Sequence, residues 1–154
     1  MKKNLCGLSD VYYIGGDDKD IDLFENQYKA PDGISYNSYV ILDDKCVVMD
    51  TADERITDIW FENLREVLGE RRPDYLVVSH MEPDHSANVE KFLEKYPDTI
   101  LVVNAKTIGL LEQFFGKELE YRSLIVKEGD TLSLGHHELQ FIMAPMVHWP
   151  EVMV

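Results

Sequence analysis

The stretch DYLVVS at residues 74–79 constrains the fold more than any other part of this sequence. It is continuously apolar from Tyr75 to Val78 and is bounded on both sides. Such a run is typical of a strand that is buried on both faces, rather than one that faces water on one side. The sequence therefore predicts that residues 74–79 lie in the interior of a sheet.

Segments with strand and helix patterns alternate before this run. VYYIGG predicts a strand, and ISYNSYVILDDKCVVMDT predicts two strands joined by a turn at Asp43 and Asp44. A helix is predicted to begin near Asp53, to carry Ile59 and Trp60 on its apolar face, and to end at Gly69.

After the buried strand the alternation continues. A short helix is predicted in NVEKFLEKY, a strand in TILVVN and a helix in TIGLLEQFF that ends at Gly116. Three more strands are predicted in SLIVKEG, DTLSL and ELQFIMAP. This order indicates an α/β (α+β) fold in which a mixed sheet carries packed helices, with residues 1–154 forming one compact unit.

The charge and the cysteine content narrow the classes of partner and compartment. The 154 residues include 15 Lys and Arg against 29 Asp and Glu, a net charge of -14, which argues against nucleic acid and anionic membranes as partners. Cys6 and Cys46 form no CxxC motif, and Cys46 is predicted to be a buried free thiol. Without a signal-peptide pattern or a membrane-spanning run, the sequence predicts a cytoplasmic protein.

The segment SHMEPDHSAN directly after the buried strand concentrates residues that can bind a metal. His80, Glu82 and Asp84 have the i, i+2, i+4 spacing that places side chains on one side of an extended segment. Pro83 stiffens this segment and favours extended backbone at Glu82. Together with His85, these side chains predict a metal site. The alternative is that Asp84, His85 and Ser86 only cap the helix that begins near Asn88.

The ligand types favour iron without excluding zinc. A histidine combined with carboxylates is the usual setting of non-haem iron, and several carboxylates favour two bridged metal ions. Zinc hydrolases rely more on imidazole ligands, with a water at the open position.

These residues also carry a resemblance to a known family. HxExDH after a buried strand, followed later by HWP, resembles the N-terminal diiron domain of the flavodiiron proteins, a branch of the metallo-β-lactamase fold. ISYNSYVI, VVMDT, EGDTLSLG and FIMAPMVHWP occur in the order found in the family. The hydrolytic branches carry HxHxDH, and Glu82 replaces their second histidine. The resemblance implies an αββα sandwich that reduces dioxygen to water, nitric oxide to nitrous oxide, or both.

The resemblance also implies roles for individual residues. His80, Glu82 and His148 would hold one iron, and Asp84 would hold the other. His85 would be a ligand as in some relatives or displaced as in others. It further implies that Trp149 lies near a flavin. From the sequence alone, His136 and His137 are predicted to face solvent in a turn at Gly135, and Ala87 and Glu151 depart from the family pattern at positions not expected to touch a ligand.

The family pattern needs a further bridging Asp and another His beyond HWP. We therefore expect residues 1–154 to be a partial metallo-β-lactamase-like diiron domain, without its C-terminal part and without the flavodoxin-like FMN domain. Alone, it is expected to bind at most one metal weakly, to have little reductase activity and to form a homodimer. The full protein would take electrons from FMN and a rubredoxin-like or flavin donor.

Two other functions remain open from the sequence. One is a zinc-dependent hydrolase of the same fold, which Glu82 argues against. The other is a non-catalytic module in which the acidic loop caps a helix or binds a partner.

Overall fold

The computed structural model describes residues 3–4, 7–24 and 26–154. Cys6 lies outside these residues. The strands are β1 (Lys3–Asn4), β2 (Val11–Tyr13), β3 (Gly16–Asp18), β4 (Leu23–Phe24), β5 (Tyr28–Lys29), β6 (Ile34–Tyr36), β7 (Tyr39–Leu42), β8 (Cys46–Met49), β9 (Tyr75–Val77), β10 (Ile100–Val103), β11 (Arg122–Ile125), β12 (Thr131–Ser133) and β13 (Glu138–Gln140). The helices are a 3-10 turn (Glu54–Ile56), α1 (Thr57–Leu68), α2 (Pro83–Ser86), α3 (Val89–Lys95) and α4 (Ala105–Phe115).

Seven strands form the main sheet, in the order β1-β2-β7-β8-β9-β10-β11. The pairs up to β7–β8 are antiparallel, whereas β8, β9, β10 and β11 are mutually parallel. The mixed sheet predicted from the sequence is thus confirmed, with β9 at its interior. The predicted strand ELQFIMAP is shorter than expected, since regular pairing ends at Gln140.

Both faces of the main sheet are buried, as the apolar run in β9 requires. Leu76 and Val78 belong to a core formed with the helices, while Val77 points to a second core under the β12–β13 hairpin. This alternation follows from the two-residue period of a strand. On the helical side the largest fully buried side chains include Trp60, Leu64 and Phe92. Ile59 does not join them, because it is 51% exposed.

Where the sequence predicts the helix to begin, a 3-10 turn follows Asp53, and α1 starts only at Thr57, whereas its end at Gly69 is as predicted. The Asp53 side chain accepts a hydrogen bond from the Arg55 backbone N–H, and Gly69 ends the helix with φ 60°.

Cys46 is fully buried, and burial raises the pKa of its thiol to about 12. Among the described residues no helix is both long and apolar enough to cross a membrane.

The β12–β13 hairpin is joined to the main sheet by the buried carboxylate of Asp43. This carboxylate accepts hydrogen bonds from the backbone N–H and ring Nδ1 of both His136 and His137, at 2.6–3.0 Å. Although burial opposes it, these bonds hold the pKa of Asp43 well below its usual range, and the Asp43 carboxylate raises the pKa of His136. Charge-assisted hydrogen bonds thus fix the hairpin to the turn between β7 and β8.

We expect the Asp43→Asn variant to be less stable than wild type by an amount that depends on pH. The lowered pKa of Asp43 stabilises the fold above its unfolded value of about 4, and this contribution is lost as pH falls. The raised pKa of His136 stabilises the fold below its unfolded value of about 6.5, and this contribution is lost as pH rises. The difference in Tm between wild type and Asp43→Asn should therefore be largest between about pH 4 and 6.5. Exposed Asp32→Asn is the control, and a difference in Tm that is flat from pH 3 to 9 would contradict this account.

Candidate metal centre

The candidate centre lies where the parallel strands of the main sheet end. Asp50 directly follows β8, the segment that begins at Ser79 follows β9, and Asn104 follows β10. Because the carboxyl ends of parallel strands meet at one edge of a sheet, these residues are brought close together. Ser79 donates to Asp50 through its backbone N–H, at 2.7 Å, and through its hydroxyl. Loops from neighbouring strands are therefore tied to each other at this edge.

The loop after β9 is extended only as far as Glu82. Glu82 has φ -57° and ψ 142°, and Pro83 then begins the short helix α2, as a proline at the first helical position favours. The prediction that Asp84 lies on the same extended segment is therefore wrong. The capping prediction is also wrong, because Ser86 donates to the carbonyl oxygens of Met81 and Glu82, and no side chain that the structure describes caps α3 at Asn88.

Three side chains predicted from the sequence meet at this edge. The ligand atoms of His80, Glu82 and His148 all lie within 4.8 Å of one another. Glu82 Oε2 is 3.0 Å from His80 Nε2 and 2.7 Å from His148 Nε2. His80 and Glu82 are buried, whereas the side chain of His148 is 56% exposed. The group therefore has two buried members and one at the surface.

The backbone places His148 in this group through an unusual conformation. His148 has φ 76°, in the left-handed region that non-glycine residues rarely adopt. Such strain persists where surrounding contacts impose it and is common at functional sites. The segment is fixed by Met146 N–H donating to the Trp149 carbonyl and by Met153 N–H donating to the Ser79 carbonyl.

Asp84 and His85 lie beside this group without joining it. His85 Nε2 is 3.5 Å from Asp84 Oδ2, and His85 Nδ1 is 3.1 Å from Asp50 Oδ2. Burial raises the pKa of Asp84, and its Oδ1 is buried with no hydrogen-bond partner among the described residues. Burial acts to lower the pKa of His85, but the bond to Asp50 and the nearby carboxylates raise it overall.

Two residues of the centre were not identified from the sequence. Asp50 holds His85, and its position directly after the strand CVVM is a signal that could have found it. Glu151 was expected not to touch a ligand position, and that expectation is wrong. Its Oε1 lies 2.7 Å from His80 Nδ1. No sequence spacing links these two residues, because the contact depends on how the chain returns to the sheet edge.

The remaining predicted residues have clear positions. Trp149 packs its ring edge-on against His80, with centroids 5.2 Å apart. His136 is exposed as predicted, but the side chain of His137 is only 27% exposed and both bind Asp43, so the solvent-facing prediction is wrong for His137. Asp43, Asp44 and His136 also bring ligand atoms together, although the oxygens of Asp43 already accept the hydrogen bonds described above.

The residues of the centre fit a metal ion that prefers mixed nitrogen and oxygen ligands. Two imidazole nitrogens and a carboxylate oxygen converge, and a second carboxylate with an unpartnered buried oxygen lies beside them at Asp84. Burying several carboxylates is costly without a compensating cation. A cavity of about 470 Å³ adjoins the centre and is lined by Glu82 and Asp84 together with Phe24 and Arg55.

Comparisons with known proteins cover most of this chain. A family model described as ODP family beta lactamase matches residues 34–154. Diflavin flavoprotein A 1 of Synechocystis sp. is 36% identical over 138 residues, which are 89% of this chain and 24% of that protein. The anaerobic nitric oxide reductase flavorubredoxin of Vibrio vulnificus is 32% identical over 149 residues, which are 95% of this chain and 30% of that protein.

Solved structures show the same likeness. The flavodiiron protein from Giardia intestinalis has a TM-score of 0.87 at 28% identity, over 98% of this chain and 36% of that one. Rubredoxin oxygen:oxidoreductase from Desulfovibrio gigas has a TM-score of 0.92 at 25% identity, over 100% of this chain and 38% of that one. The chain spans about a quarter to a third of the length of these two curated relatives. The metallo-β-lactamase-like fold implied by the sequence is confirmed.

Proposed function

Because the chain belongs to the ODP family of beta lactamases and its homologues are flavodiiron proteins, we propose that it is the metal-binding part of a reductase of small gases. The reaction is the reduction of dioxygen to water, of nitric oxide to nitrous oxide, or both. One observation carries the proposal: the Glu82 carboxylate stands between His80 and His148, with its ligand atom within 4.8 Å of theirs. A carboxylate at this position favours iron over the zinc of hydrolases.

In this proposal His80, Glu82 and His148 would hold one iron, and Asp84 would hold a second, with His85 beside it. Iron supplies the one-electron chemistry that none of these side chains can perform. Glu82 contributes negative charge and orients both imidazoles, because its Oε2 contacts each of them. The bond from His85 Nδ1 to Asp50 leaves its Nε2 directed towards Asp84. The adjoining cavity gives a small gas access to the two carboxylates.

The electrons come from outside these residues. We assign them to FMN on a flavodoxin-like domain, supplied by a rubredoxin-like or flavin donor. Support comes from relatives whose names include diflavin flavoprotein, flavorubredoxin and rubredoxin oxygen:oxidoreductase. Trp149 packs against His80 and is half-buried, so it is our candidate for the residue nearest the flavin.

We also propose that the chain forms a homodimer in solution. The segment after Gln140 exposes Ile142, Met146, Val147 and Val154, which are between 49% and 73% exposed. The edge strand β11 is exposed along its length. Apolar surface and an open strand edge both favour self-association. A monomer mass in light scattering at micromolar concentration would contradict the proposal.

Metal analysis tests the proposed function directly. The purified 154-residue chain, loaded anaerobically with iron or, in a separate sample, with zinc and then desalted, should retain iron at one ion per chain or less, and its zinc-loaded form should hydrolyse no ester, lactone or thioester probe. It should reduce little dioxygen or nitric oxide without FMN. Two tightly bound irons per chain would contradict the expected stoichiometry. Retention of zinc together with hydrolysis of ester, lactone or thioester probes would instead favour the zinc hydrolase.

A further inference from the structure

Glu151 is a buried carboxylate that contacts His80 of the candidate metal centre, at the ring nitrogen opposite the one that faces Glu82. It is 1% exposed, and its side chain is fully enclosed. Its Oε1 lies 2.7 Å from His80 Nδ1 and accepts a hydrogen bond from the Met81 backbone N–H at 2.9 Å. Its Oε2 has no hydrogen-bond partner among the described residues. Burying a carboxylate costs free energy unless a positive charge or hydrogen-bond donors compensate for it nearby.

The contact determines which nitrogen of His80 is available to a ligand. Glu151 Oε1 already accepts the Met81 backbone N–H, and we infer that it accepts a second hydrogen bond from His80, with the proton on Nδ1. Nε2, which lies 3.0 Å from Glu82 Oε2, is then the nitrogen left to bind a metal. A carboxylate behind a ligating imidazole fixes the ring orientation and makes the outer nitrogen a stronger ligand.

The backbone at Glu151 is held in place by Asn104, which follows β10, and by Lys106 in the first turn of α4. Its carbonyl oxygen accepts a hydrogen bond from the Asn104 side-chain amide, and Asn104 Oδ1 in turn caps α4 at Lys106 and Thr107. Lys106 Nζ also donates to the carbonyl oxygen of Pro150, at 3.0 Å. The carboxylate is therefore positioned by rigid structure before any metal binds, which lowers the cost of orienting His80.

We propose that Glu151 is a positioning residue for metal binding, which holds His80 with Nδ1 protonated and Nε2 directed at the metal. The inference rests on the proposed function, because it assigns His80 to the metal. The contact of Glu151 with His80 connects the end of the chain to the loop after β9. Two separate parts of the chain therefore determine together how strongly His80 binds a metal. Loss of such a partner typically weakens metal affinity about 10- to 100-fold.

The test is a titration of the metal-free chain with Co²⁺, followed by its visible absorption. Glu151→Gln keeps an acceptor of the same shape but removes the charge, so its Kd for Co²⁺ should rise about 10-fold. Glu151→Ala removes the acceptor and should raise the Kd about 100-fold and alter the ligand-field bands, because the His80 ring is released. Exposed Glu118→Gln is the matched control and should match wild type.

Two further measurements distinguish a failure of the Glu151 proposal from a failure of the proposed function. If Glu151 were merely structural, both variants would lose Tm yet bind Co²⁺ with the wild-type Kd and spectrum, and this result would overturn the proposal. A wild-type chain whose Co²⁺ binding is absent or unaffected by His80→Ala would overturn the proposed function instead. In that case nitrogen-15 NMR of histidine in the metal-free chain still tests the positioning. The His80 Nδ1 proton should be present in wild type and lost to exchange in Glu151→Ala, and its absence in wild type would overturn the inference.

Discussion

Replacing Glu82 with alanine is expected to abolish iron binding by this chain. Glu82 Oε2 contacts both His80 Nε2 and His148 Nε2, so its removal takes away one proposed ligand and the group that orients the other two. The loss in affinity should exceed the roughly 100-fold effect of removing an outer hydrogen-bond partner. Anaerobic titration with Fe²⁺ and metal analysis after desalting measure it.

Two variants make this result specific. Glu94 lies exposed on α3, and Glu94→Ala removes a carboxylate of the same charge, so it should bind iron as wild type does. Glu82→His should keep metal binding but shift the preference from iron towards zinc, since imidazole suits zinc better than a carboxylate does. Iron binding by Glu82→Ala that equals wild type would remove the observation on which the proposed function rests.

The second large effect is expected from Trp60, which connects the helical core to the metal centre. Its side chain is fully buried and packs against the rings of Phe61 and Phe92. Its indole N–H donates to Ser38 Oγ, and Ser38 Oγ donates to the backbone carbonyl of Asp50. We expect Trp60→Ala to lower the free energy of unfolding by about 3–5 kcal/mol, measured by urea denaturation.

Neighbouring substitutions separate packing from hydrogen bonding. Trp60→Phe keeps most of the apolar contact but loses the bond to Ser38, and should cost less than Trp60→Ala, with about 1 kcal/mol from that bond. Ile59→Ala changes the adjacent but half-exposed residue of the same helix and should stay within about 0.5 kcal/mol of wild type. Equal destabilisation by Trp60→Ala and Ile59→Ala would contradict the position of Trp60 in the core.

Local patterns predicted much of this fold because they act over a few residues. The apolar run at Tyr75–Val78 requires burial on both faces, and the order of strands and helices follows from the period of apolar residues. The predictions failed where the wrong local preference was applied and where a tertiary contact outweighs the local pattern. Pro83 begins a helical turn rather than extending the loop, and His137 is drawn to the buried carboxylate of Asp43.

The sequence by itself determined the metal-capable pair His80 and Glu82, because two residues separated by one position after a buried strand must lie at the end of that strand. His148 was assigned to the centre only through the family resemblance, and only the tertiary structure decided the contacts that complete it. His148 reaches Glu82 across 66 positions, and Glu151 reaches His80 across 71. No local preference encodes such contacts. They form because the chain returns past the β12–β13 hairpin to the edge where the parallel strands end, and packing of that hairpin on the sheet fixes where the returning segment lies.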